Sequence, residues 1–114
     1  MIHICMDDLR KGPLGFALAR TTEECLLMLR ECEVGILSLD YDMGPDDYSG
    51  GEVARRIVLE GLYPCEIYLH TSSVLGRKEM YEILYAAKPE GMRLFNGPLS
   101  SDKLHDIAGE TGLK

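Results

Sequence analysis

Short apolar runs alternate with longer segments of helical period along almost the whole of this sequence. That alternation points to a parallel sheet flanked by helices, because parallel neighbours need crossovers and a buried strand reads as a continuous apolar run. The runs are Ile2 to Met6, a short Phe16 to Arg20, Val34 to Leu39, Glu66 to Leu69 and Met92 to Phe95. Thr21 and Glu24 have capping-box spacing ahead of a helix reaching about Cys32. Ser49 and Glu52 repeat that spacing ahead of a helix that runs to Gly61, a natural stop. Arg77 to Ala87 places Met80, Leu84 and Ala87 on one helical face, and a short amphipathic helix carrying Leu104, Ile107 and Ala108 closes the chain. There are no repeats and no linker, so residues 1–114 are expected to form one domain.

The link from Asp7 to Gly15 is too short for a helical crossover. A hairpin would fit it but would send every later strand the opposite way and separate Asp7 from Asp40. Nine extended residues reach about 30 Å, enough to return beside a short strand. The expectation is therefore a parallel second strand, with the first helix reduced to a loop.

Charge bears on function. The formal charge is −7, which argues against a nucleic-acid polymer as partner, since phosphate backbones attract clustered Lys and Arg. It leaves room for a small phosphorylated ligand whose charge a metal offsets. No apolar run is long enough for a membrane span, and no basic region followed by an apolar stretch opens the chain, so a cytoplasmic protein is expected. The four cysteines, Cys5, Cys25, Cys32 and Cys65, form no C-x-x-C pair and are expected as buried free thiols. His3, His70 and His105 lack the spacing of a zinc motif.

Ligands of open parallel sheets bind beyond the carboxyl ends of the strands. Those ends carry Asp7-Asp8, then Asp40 with Asp42, then His70-Thr71-Ser72, and Asn96. Acids closing neighbouring strands repel unless a cation lies between them, and oxygen ligands of this kind suit Mg²⁺. Asp7, Asp8, Asp40 and Asp42 are therefore the expected metal ligands. His70 suits proton transfer near neutrality, or equally a structural hydrogen bond to a loop. Arg10 and Arg77 suit either a phosphate clamp or a solvated surface, and Thr71, Ser72 and Asn96 complete the expected ligand contacts. Gly50-Gly51 suits a close backbone approach at a helix N-terminus, and Asp46 and Asp47 read as loop solvation.

The Asp pair after the first strand, Asp40 after the third and Thr71 after the fourth resemble the response-regulator receiver pattern. That resemblance implies a flavodoxin-like sheet of order 2-1-3-4-5, Asp40 as phosphoacceptor and Thr71 as switch hydroxyl. Receivers also carry a lysine before the proline that follows strand five; here the stretch is Asn96-Gly97-Pro98. A second resemblance covers this departure. Asp7-Asp8-Leu9-Arg10, Ser38-Leu39-Asp40-Tyr41-Asp42, His70-Thr71-Ser72 and Gly76-Arg77-Lys78-Glu79-Met80 are similar to the motifs of the cyclic-phosphate-processing receiver-like family. The likeness runs from about residue 1 to 98, with Tyr41 where a histidine is usual and Ser73 where an asparagine is usual. It implies the handling of ligands with a cyclic phosphate; joined to the chemistry of the strand-end acids, the expectation is metal-dependent processing or binding of a small phosphorylated ligand, with Asp40 and His70 as catalytic groups. The alternatives are a signalling receiver that accepts phosphate on Asp40 and a non-enzymatic protein-interaction module. Oligomeric state is not readable from the sequence.

Overall fold

The computed structural model describes residues 1–110. Five parallel strands form one sheet in the order β2-β1-β3-β4-β5. They are β1 (Ile2–Met6), β2 (Ala17–Ala19), β3 (Val34–Leu39), β4 (Glu66–Leu69) and β5 (Arg93–Phe95). The helices are α1 (Thr22–Glu31), α2 (Gly50–Glu60), α3 (Val74–Ala87) and α4 (Ser101–Glu110). The parallel second strand is present, with Ile4 opposite Ala17 and Met6 opposite Ala19. No helix joins β1 to β2; residues 7–16 cross as a loop instead. No helix among the described residues is long and apolar enough to cross a membrane.

The two faces of the sheet are covered unequally. Ile4, Met6, Leu37, Leu39, Ile67 and Leu69 pack against Leu26 and Leu29 of α1, Val53 and Ile57 of α2, and Met80 and Leu84 of α3. On the opposite face, Ile36 and Tyr68 meet Leu99 and Ile107, with Phe16 and Leu104 at the margin. Replacing a helix by the 7–16 loop leaves α4 as the main cover there. β1 and β3 also slip in register between Ile2 and Ile4. His3 fills that irregularity: its Nδ1 accepts the Ile36 amide at 3.1 Å, and Gly35 lies against its ring. Burial depresses the His3 pKa, and an accepting nitrogen must stay unprotonated.

Local chemistry explains most helix boundaries. Thr21 and Glu24 form the full capping box of α1. The expected box at α2 is half made: Ser49 accepts from Gly51, while the Glu52 carboxylate goes to Arg55. Gly61 ends α2 in the left-handed conformation at φ 69°. Helix α3 begins three residues before the expected Arg77, because the Ser73 side chain caps it by accepting from Gly76. Met80 and Leu84 are buried as expected, but Ala87, the last residue of α3, is exposed.

Two expectations of burial fail. Cys5 and Cys25 are buried, and their thiols are pushed up to about 11 and about 12 by burial, but Cys32 and Cys65 are exposed. Cys32 caps the C-terminus of α1, beyond its core-facing stripe, and Cys65 lies in the turn before β4. Asp47 is also more than loop solvation. It accepts the Thr22 amide at 2.9 Å and the Thr22 hydroxyl at 2.7 Å, tying the loop after β3 to the start of α1.

Candidate functional site

In this strand order the chain reverses direction of winding between β1 and β3, so the carboxyl ends of those strands open the crevice where such sheets bind ligands. A cleft of about 780 Å³ lies there. Asp7, Asp8 and Arg10 line it from the loop after β1, Asp40 and Asp42 from the end of β3, and Thr71 and Ser72 from the end of β4. His70, Arg77 and Asn96 are not among its lining residues: His70 lines a second cavity, Arg77 is half-buried on α3 and Asn96 is exposed after β5.

Asp7 is only 2% exposed. Its Oδ1 accepts the amides of Leu9 at 3.0 Å and Arg10 at 2.9 Å, and Oδ2 lies 3.1 Å from His70 Nε2. Burial alone would raise its pKa; the Arg10 and Leu9 amides and the His70 ring outweigh it and hold the carboxyl below its usual value. Asp40 is shifted the other way. Burial and the neighbouring Asp7 charge raise its pKa, against the opposing influence of His70, the Tyr41 amide and the Thr71 hydroxyl. Asp42 accepts from the Gly44 amide at 3.0 Å. Gly44 has a φ of 89°, and a Cβ there would come within 3.3 Å of Asp8 Oδ2, so glycine suits both the turn and the approach of Asp8.

The tightest convergence is of Asp7, Asp40 and His70, each offering one donor atom, all within 4.8 Å of one another. Among the described residues this is the group of acids, histidines and cysteines close enough to share an ion. The donor chemistry fits a divalent cation: two carboxylates and an imidazole bring one donor atom each within 4.8 Å of one another, and burial together with the Asp7 charge raises the Asp40 pKa.

Residues outside the expected set hold this geometry. Arg20, just after β2, donates through Nη1 to the carbonyls of Asp7 at 3.2 Å and Arg10 at 2.7 Å, stapling the loop that carries both. Ser38, 4% exposed on β3, lies 2.6 Å by its hydroxyl from His70 Nδ1. Its polarity inside an otherwise apolar run was the available signal, since a buried polar residue is the informative exception in a core strand. His70 lines a second cavity of about 250 Å³ with Ser38, Cys5 and Leu99, and Asp7 and Arg10 border both cavities.

Tyr41 and the glycines serve packing. A Cβ on Gly76 would lie 2.3 Å from the Tyr41 ring, and the Tyr41 hydroxyl donates to Glu79 at 3.3 Å. A Cβ on Gly50 would lie 2.0 Å from the Asp40 carbonyl oxygen. The close approach expected at Gly50-Gly51 is thus made by the protein itself. The Gly50 amide donates to the Tyr41 carbonyl and the Gly51 amide to Ser49, so neither is free for an anion.

With this geometry in view, comparison with known proteins is specific. The model of the cyclic-phosphate processing receiver domain family matches residues 2–86, from β1 to the end of α3. The chain belongs to that family. A search of curated proteins finds no significant match.

Proposed function

We propose that the cleft binds and processes a small phosphorylated ligand, a cyclic phosphate ester, with the help of a divalent cation. The convergence of Asp7, Asp40 and His70 at the carboxyl ends of three strands carries this reading. Asp7 and Asp40 would hold the cation, with Asp8 and Asp42 lining the same cleft. An oxygen-dominated set of this kind takes Mg²⁺. When bound, the cation supplies Lewis-acid polarisation of a phosphoryl oxygen. Asp7 is kept ionised by two amides and by His70. Arg10 brings a guanidinium to the cleft for phosphate oxygens, and the Thr71 and Ser72 hydroxyls offer further hydrogen bonds. His70, between Ser38 and Asp7 in the adjoining cavity, would hold or pass a proton at the edge of the cleft.

The test is a panel of cyclic nucleotides and simple cyclic phosphate esters, assayed for hydrolysis and binding with and without Mg²⁺. Cation-dependent turnover or binding of one of them, lost in Asp40→Asn, is the expected result. No turnover and no calorimetric binding across the panel would remove the proposal.

The Thr71 hydroxyl on Asp40 also suits a phosphoacceptor carboxylate beside a switch hydroxyl. Against that second reading, no lysine is among the residues that line the cleft; its cation is Arg10, on the loop after β1 and not after β5. Incubation with acetyl phosphate and Mg²⁺, followed by intact mass, should show no adduct. A stable adduct on Asp40 would favour the signalling receiver.

A further inference from the structure

We infer that His70 joins the cation seat through Nε2 and that Ser38 is the positioning residue that allows it to do so. This rests on the cation reading above and refines it, since it changes the seat from oxygen ligands alone to a mixed nitrogen and oxygen set.

The geometry begins with a histidine that has no spare freedom. The His70 side chain is 11% exposed, and both ring nitrogens are engaged. Nε2 is 3.1 Å from Asp7 Oδ2 and Nδ1 is 2.6 Å from Ser38 Oγ. An ionised carboxylate only accepts, so in the neutral ring the proton sits on Nε2, and Nδ1 accepts from the Ser38 hydroxyl. A cation needs Nε2 free of its proton. The ring stays neutral if one proton leaves Nε2 and one is taken up at Nδ1, where Ser38 Oγ then accepts it. Serine can serve both states because a hydroxyl is donor and acceptor at once. Histidines that ligate metals almost always donate their other N–H to a fixed acceptor, and Ser38 is that acceptor here.

Spacing supports the same arrangement. Two ligand atoms on one tetrahedral zinc, with bonds of about 2.0–2.1 Å, lie about 3.3 Å apart. The hydrogen bond between Asp7 Oδ2 and His70 Nε2 holds these atoms at 3.1 Å, so replacing its proton by an ion needs little movement. Asp40 completes the set within 4.8 Å. Imidazole favours zinc and the later transition ions over magnesium, so the mixed seat binds Zn²⁺ much more tightly than Mg²⁺.

The experiment uses the full chain with exposed Cys32 and Cys65 changed to serine, so that surface thiols do not take up zinc. Calorimetry with Zn²⁺ and Mg²⁺ is paired with ¹⁵N spectra of the histidine rings. Metal-free protein should show His70 protonated on Nε2; Zn²⁺ should move the proton to Nδ1. Ser38→Ala should lower Zn²⁺ affinity by about 10- to 100-fold, and Ser38→Thr should restore most of it. His70→Ala should lower Zn²⁺ affinity by a much larger factor than Mg²⁺ affinity, because it removes the one nitrogen donor of the seat. A His70 ring that keeps its Nε2 proton with Zn²⁺ bound would overturn the inference, as would equal Zn²⁺ affinity in Ser38→Ala and Ser38→Thr. Should Ser38→Ala not fold, the wild-type ring spectra decide alone. Asp40→Asn separates this inference from its premise. Loss of both ions supports the seat, whereas retained affinity for both removes the seat and the inference with it.

Discussion

Replacing Asp7 by asparagine and by alanine should destabilise the protein to very different extents while removing cation binding in both. The Asp7 carboxylate accepts two backbone amides through Oδ1 and meets His70 through Oδ2, in a side chain that is 3% exposed. Hydrogen bonds to a charged group contribute about 1.5–3 kcal/mol each, and donors left unpaired cost more. Alanine loses both amide bonds and leaves His70 facing a gap, which sums to about 4 kcal/mol. For a chain of this length that lowers Tm by about 15 °C. Asparagine keeps its carbonyl oxygen on both amides. Its NH₂ can donate to His70 Nε2 once the ring proton moves to Nδ1 and onto Ser38. Only the charge assistance is lost, about 1 kcal/mol and about 4 °C. Urea and thermal unfolding at pH 7 measure both, and Mg²⁺ calorimetry reads the site separately. The pH dependence has a definite sign. The Asp7 pKa is depressed in the folded state, so its contribution is present above the unfolded value of 3.8 and is lost as pH falls through the folded one. Asparagine should remove that part of the acid limb. Equal destabilisation by the two substitutions would refute the amide argument, and unchanged Mg²⁺ affinity in Asp7→Asn would refute the seat.

Three further outcomes follow from the packing. Gly76→Ala should cost about 1–3 kcal/mol by forcing a Cβ onto the Tyr41 ring, and in a Tyr41→Ala background it should become stabilising by up to about 1 kcal/mol as helix propensity takes over; a double-mutant cycle by urea unfolding measures the change of sign. The lowered His3 pKa means that its contribution to stability is complete above 6.5 and declines as pH falls below that, so the urea midpoint should drop between pH 8 and pH 5.5 by less in His3→Gln than in wild type. Asp47→Ala should cost about 1–2 kcal/mol, in the range of a lost helix cap, because three contacts to Thr22 and Tyr48 go with it; hydrogen exchange should show the first turn of α1 opening more readily, and unchanged protection there would argue against the tie.

What could be read in advance was what is local in the chain. Strand runs, the Thr21 cap, the Gly61 stop and the acids closing β1 and β3 each depend on neighbours a few residues away. The parallel β2 followed from reach and direction alone, because any other course would have separated Asp7 from Asp40. The residues that were missed act across the fold. Ser38 meets His70 32 positions away, Arg20 reaches back 10 and 13 positions, and Asp47 reaches Thr22 across 25. Nothing in their local sequence specifies those partners. Arg77 shows the same limit from the other side. At the start of a helix it suited a phosphate clamp as well as a solvated surface, but the Ser73 cap starts α3 earlier, so Arg77 is its fourth residue, away from the cleft lining.

Asp7 and Asp40 end neighbouring strands, yet the fold treats them oppositely, and the difference assigns them separate parts in the site. Asp7 is saturated: amides and an imidazole take up both oxygens and hold its pKa below the usual carboxylate value. Its charge is a fixed feature of the floor, which a ligand meets but does not create. Asp40 has its Oδ1 on the Tyr41 amide, and burial together with the Asp7 charge raises its pKa. Two like charges this close leave the second one costly until something positive arrives. A cation or a cationic ligand group between them would lower the Asp40 pKa most, because Asp7 is already compensated. If the site takes a cation as proposed, Asp7 would fix where it sits and binding would shift Asp40 toward its ionised form.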